Sequence, residues 1–152
     1  MKKLLFTFLA IATIFAACEK EDELISDNNT IPTTYAFSCK VGGDSFTDNS
    51  PVVEINPSTN VLTLDAKDGD NTIRIIIYDF LNRNEGEEIS LNNLTDKAYV
   101  TKDGVDYTNT EGGKLTFSKI DTKLSGTFNF TSKATNFSSK SVTEGVFEDL
   151  SY

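Results

Sequence analysis

The sequence predicts an all-β domain, either an antiparallel β-sandwich or a lipocalin-like barrel of about eight to ten short strands. Apolar residues recur with period two along nearly all of residues 34–152, and nowhere at the 3.6-residue spacing of an amphipathic helix. Gly- and Asp-containing turn signals punctuate that alternation at the short intervals of all-β folds. Threonine and β-branched residues are plentiful, which suits a pleated, half-buried surface.

In Ala36–Val41, Phe37, Cys39 and Val41 share one face, Gly42-Gly43-Asp44 turns the chain, and Phe46 returns to the apolar side. Val53 and Ile55 make a short strand before Pro57. Asn60–Ala66 sets Leu62, Leu64 and Ala66 against Thr63 and Asp65. Lys67-Asp68-Gly69-Asp70-Asn71 reads as a hairpin, because Asp and Gly tolerate the positive φ of tight turns. Thr72–Phe80 carries Ile73, Ile75 and Ile77 on one face and Ile76, Tyr78 and Phe80 on the other. A strand apolar on both faces is expected mid-sheet, covered on both sides or by loops at its ends.

Glu87–Leu91 and Ala98–Lys102 follow, and Asp103-Gly104 turns into Val105-Asp106-Tyr107. Gly113–Ile120 places Leu115 and Phe117 together. Leu124–Thr131 places Leu124, Gly126, Phe128 and Phe130 inward. Ser141–Tyr152 is a last strand pair or one bent strand, and its slipped alternation at Val146-Phe147 predicts a bulge near Gly145. Gly42-Gly43 and Gly112-Gly113 both read as turns. Neither leads into a helix, as a phosphate-cradling loop would.

Ahead of this domain the chain changes character. Lys2 and Lys3 precede an apolar run from Leu4 to Phe15, and Ala16-Ala17 supply the small residues of a cleavage site, so residues 1–17 read as an export signal. As a helix that run would rise about 18 Å, too short for a hydrocarbon core of about 30 Å. Residues 18–33 are acidic and Asn-rich without a core-forming period, and read as a flexible tether to a single domain at 34–152.

The composition excludes several functions. The formal charge is −9, and it becomes two units more negative once Lys2 and Lys3 leave. A chain this acidic repels phosphate polymers, so no nucleic-acid partner is expected. Histidine is absent. Its absence removes Ser–His–Asp and Cys–His catalysis as well as His-ligated zinc. No cofactor is expected.

Two stretches near the start resemble sorting signals. Phe15-Ala16-Ala17-Cys18 resembles a bacterial lipobox, with Phe in place of the usual Leu. That resemblance implies acylation of Cys18, which leaves Cys39 without a disulfide partner and acting as a small buried hydrophobe. Glu19-Lys20-Glu21-Asp22-Glu23 resembles the lipoprotein export signal of Bacteroidota, which implies an outer-membrane location facing the cell exterior. Further on, three stretches carry a broader likeness: Gly112–Asp121, Leu124–Thr131, and Val142–Phe147 with the terminal Tyr152. Together with the Phe37–Phe46 opening they resemble uncharacterised Bacteroidota surface lipoproteins with a small all-β domain. The shared features are glycines and core aromatics, so the likeness implies a fold and no catalytic residue.

The remaining candidates are weaker. Asp65, Asp68 and Asp70 surround a glycine but miss the EF-hand spacing, and a solvated hairpin accounts for them. Glu85, Glu87 and Glu88 flank Gly86 and suit a polar loop better than a glycosidase carboxylate pair. Among Tyr35, Tyr78, Tyr99, Tyr107 and Tyr152, the pair Tyr99 and Tyr107 flanks a turn and is the candidate ligand surface. The expectation is a non-enzymatic, lipid-anchored surface domain that recognises a glycan, peptide or envelope component, or has a structural role. The alternatives are a lipocalin-like carrier of a small apolar ligand and, more remotely, a carboxylate-based hydrolase.

Overall fold

The computed structural model describes residues 35–152, which fall in the second of two compact units, Thr33–Tyr152. The export signal 1–17, Cys18, Glu19–Glu23 and the rest of the tether to residue 33 lie outside the described residues.

Ten strands follow one another: β1 Phe37–Val41, β2 Asp44–Asp48, β3 Val52–Asn56, β4 Val61–Asp68, β5 Asn71–Tyr78, β6 Glu88–Leu91, β7 Lys97–Lys102, β8 Val105–Ile120, β9 Lys123–Ala134 and β10 Ser139–Ser151. All belong to one antiparallel sheet in the order β2-β1-β10-β9-β8-β7-β5-β4-β3, with β6 on β8 beside that path, curled into a half-barrel. The all-β expectation therefore holds. Strict alternation produces it: β1 buries Phe37, Cys39 and Val41, β5 buries Ile73, Ile75 and Ile77, and β9 buries every second residue from Leu124 to Ala134. Two-residue turns at Gly42-Gly43 and Asp103-Gly104 have positive φ at both positions, the twist that hairpins require.

The concave side is filled with rings. Phe46, Phe37, Phe128, Phe147, Phe117, Phe80 and Tyr152 form a continuous chain, with successive centroids 5.0–6.4 Å apart. Isoleucines and leucines from β4 to β8 pack around it.

Glycine makes the curl possible. Gly113 lies opposite Phe130, Gly126 opposite Phe147, and Gly145 opposite Phe128. A Cβ on Gly126 would strike the Thr116 carbonyl and come within 2.6 Å of the Phe147 ring. One on Gly145 would sit 2.6 Å from the Phe128 ring, and one on Gly113 would meet the Asn129 carbonyl and Phe130.

Where the backbone ladder lapses, side chains replace it. Asp48 Oδ2 accepts from the Lys67 amide at 2.7 Å and Asp68 Oδ2 from the Thr47 amide at 3.2 Å, so β2 is stitched to β4 across the ends of the sheet. Beyond Tyr107, β7 and β8 part. There the Ala98 amide donates to Thr110 Oγ1 at 3.0 Å, and the Ala98 carbonyl accepts from Thr110 at 2.9 Å and Ser132 at 2.6 Å. Past Ile76, buried Asp96 accepts from the Tyr78 amide at 2.7 Å and from Arg83 at 2.8 Å.

The structure corrects the readings of Gly112-Gly113, of the outer face of β5 and of Phe80. Gly112-Gly113 is not a turn. It lies inside the 16-residue β8, next to a register shift between Thr110 and Gly112. The outer face of β5 is uncovered at Tyr78, which is 41% exposed. Phe80 leaves that face altogether, because Asp79 (φ 54°) breaks the strand and a 3₁₀ turn at Phe80–Asn82 delivers the ring to the core. The bulge at Gly145 is present, and a second register shift follows between Phe147 and Leu150.

Gly126→Ala should lower stability by about 1–3 kcal/mol or more, because a packed core cannot yield to an added methyl. Gly112→Ala, whose Cβ would meet nothing within 4 Å, should stay within about 0.5 kcal/mol of the native chain. Denaturant unfolding checks both, and equal effects would remove the role assigned to the Gly–Phe pairs.

Candidate functional site

The site is an open groove of about 650 Å³ on the outward face of β4, β5, β7 and the start of β8. Strand parity builds it. Leu64, Ala66, Ile73, Ile75, Ala98 and Val100 point inward and are buried, so their neighbours must point out. Antiparallel register then aligns those neighbours in two rows. One runs Val52, Asp65, Arg74, Tyr99, and the other Lys67, Thr72, Thr101, Asp106. Asp48, Ser50 and Thr108 complete the walls.

The polar groups are held in place by one another. Arg74 Nε and Nη2 donate to the two oxygens of Asp65 at 2.6 and 2.9 Å, a planar two-point fork. These bonds and the Asp65 charge raise the Arg74 pKa, and its side chain stays about half exposed. The pair contributes well under about 1 kcal/mol to stability. Its consequence is positional, since it fixes the guanidinium toward β4, in the same cross-strand row as half-buried Tyr99. In the second row Thr101 Oγ1 donates to Asp106 Oδ1 at 2.7 Å.

Tyr99 and Tyr107 do not form a common surface. The Asp103-Gly104 turn pairs Lys102 with Val105 and Val100 with Tyr107. Tyr107 therefore shares the inward face of Val100 and is buried at 6% exposure, whereas Tyr99 faces the groove. A one-residue offset across a hairpin moves a side chain to the other face.

The other candidates have structural partners. Asp65 belongs to the fork, Asp68 to the β2–β4 stitch, and Asp70 to the exposed β4–β5 turn. Among the described residues no group of three potential ligands converges to hold a metal ion. Glu85 accepts from the Ile120 amide at 2.7 Å, and Glu88 pairs with Lys114 at 3.0 Å. Glu87 is held below the ordinary carboxylate range by the Asn84 amide and by Arg83, opposite to the shift a general acid needs. Tyr78 has Lys97 5.9 Å from its ring centroid, and the Tyr152 hydroxyl donates to the Asp121 carbonyl.

Arg74, Thr101 and Asp106 were not singled out by motif. A parity argument reaches them: fixing the β4–β5 hairpin at Asp68–Asn71 places Arg74 directly across from Asp65.

Cys39 faces the core. Burial, and secondarily the Asp68 charge, push its thiol from 9.0 up to about 12. The fold therefore keeps the neutral thiol where an unfolded chain would ionise it. The native contribution is complete below about pH 8.5 and declines as pH rises toward about 12. The stability difference between the native chain and Cys39→Ala should therefore shrink from pH 7 to pH 11 in denaturant titrations. A difference independent of pH would contradict the shift.

No protein-family model, curated protein or solved structure matches the chain.

Proposed function

We propose that this chain is a lipid-anchored surface domain of the Bacteroidota type with a non-catalytic recognition role, held at the outer membrane through acylated Cys18 and facing the cell exterior. The lipobox-like Phe15–Cys18 and the acidic run Glu19–Glu23 support the anchor and its location. Recognition is assigned to the outer groove around Tyr99 and the Arg74–Asp65 fork. The observation that carries this choice is the chain of buried rings from Phe46 to Phe80, which occupies the interior a lipocalin-like carrier would keep for its ligand.

Two arms test the proposal. Cys18→Ala should move the chain from the membrane fraction to the soluble fraction, and undiminished membrane retention would overturn the anchor. For recognition, the purified full chain is offered neutral polysaccharides, phage-displayed peptides and peptidoglycan sacculi. Saturable binding to one of them is expected, and Thr101→Arg, which fills the groove, should abolish it. Binding that survives this substitution, or no binding to any of the three, would overturn recognition at the groove.

A further inference from the structure

We infer that the ligand of the outer groove is an uncharged carbohydrate, stacked on Tyr99 and hydrogen-bonded along its edge by the Arg74–Asp65 fork. The inference rests on the recognition reading above and narrows it to a chemical class.

The first argument comes from the walls. The groove lies on a sheet face, and the backbone groups of β4, β5 and β7 there are taken up by strand ladders or, at Ala98 and Lys67, by the side chains of Thr110, Ser132 and Asp48. An extended peptide binds most readily by adding a strand to a free edge, and this floor offers no such edge. Among the described residues lining it, Tyr99 and Val52 are the large apolar side chains, so it has few pockets for peptide side chains.

The second argument is electrostatic. Among the described residues lining the groove, three carboxylates (Asp48, Asp65, Asp106) face two cations (Lys67, Arg74), in a chain whose formal charge is −9. Arg74 is spent on Asp65 at 2.6 and 2.9 Å. An anionic ligand would meet a net negative wall, and a cationic one would compete with the fork for its carboxylate. A neutral ligand with many hydroxyls meets neither obstacle.

The third is shape. A pyranose has a C–H face that packs on an aromatic ring and an equatorial rim of hydroxyls that donate and accept in one plane. Tyr99 supplies a half-buried ring, the neighbouring fork supplies planar donors and acceptors, and Thr72, Thr101 and Thr108 supply adaptable hydroxyls. A volume of about 650 Å³ is within the usual range for a small-ligand site, and its open form suits a segment of a longer glycan.

Affinity electrophoresis of the purified full chain through gels containing dextran, mannan, xylan, laminarin or glucomannan tests the inference. At least one neutral polysaccharide should retard the native chain, with affinity changing less than about twofold between low and high salt, because no ion pair forms on binding. Tyr99→Ala should weaken that binding about tenfold or more, as truncated aromatic anchors do. Tyr99→Phe should retain most of it, and Arg74→Lys should weaken it by losing the fork. Tyr78→Ala, an exposed tyrosine outside the groove, should leave it unchanged and controls for folding. Retardation by none of the five overturns the carbohydrate assignment. If phage-displayed peptides or sacculi are then bound in a Thr101→Arg-sensitive way, recognition at the groove survives without it. If they are not, both fail. Retardation that persists in Tyr99→Ala, or that collapses in salt, overturns the stacked geometry proposed here.

Discussion

A β-sheet that curls around six linked, buried phenylalanine rings must bring strands close together on its concave side, and ordinary side chains obstruct that approach. In this chain the obstruction is removed three times by the same device, a glycine directly opposite a phenylalanine on the neighbouring strand. Gly113–Phe130, Gly126–Phe147 and Gly145–Phe128 all lie within the β8–β9–β10 meander. Each glycine leaves room for the residue across from it, and together the pairs let three long strands bend as a unit. The aromatic chain depends on the curl so produced.

Curling has a cost in backbone pairing, and side chains meet it. At the β7–β8 parting and the end of β5, amides or carbonyls that a continued ladder would pair find Thr110, Ser132 or Asp96 instead, and at the β2–β4 stitch unladdered amides find Asp48 and Asp68. Among the described residues no buried side-chain polar atom lacks a partner. These contacts explain why Asp96, Thr110 and Ser132 are the polar residues found in the core. A buried polar group is tolerated there because it replaces a ladder bond.

Much of the fold was legible because alternation is a local signal. The inward faces of β1, β4, β5 and β9, the hairpin at Asp68–Asn71 and the bulge at Gly145 could each be read from a few adjacent residues. What escaped was set by distant partners. Gly112-Gly113 looks like a turn until β9 is laid beside it, and Phe80 looks like a strand residue until Asp79 adopts φ 54°. The site was half legible: Tyr99 was identified, but its pairing with Tyr107 required a register that strand parity alone does not set. Arg74 and Asp65 form a site only through cross-strand alignment, which carries no motif.

A filled interior and a structured exterior are two sides of one arrangement, because the rings that fill the concave side leave the polar outer face as the surface to which the proposed ligand is assigned. Methyl-detected NMR of the isoleucine- and leucine-labelled chain, titrated with a medium-chain fatty acid, tests this most directly. Unshifted resonances for Ile73, Ile75, Ile77, Ile89 and Leu115 are the expected result. Saturable shifts confined to those methyls would mean that the interior opens to an apolar guest, and would contradict the packing on which the surface assignment rests.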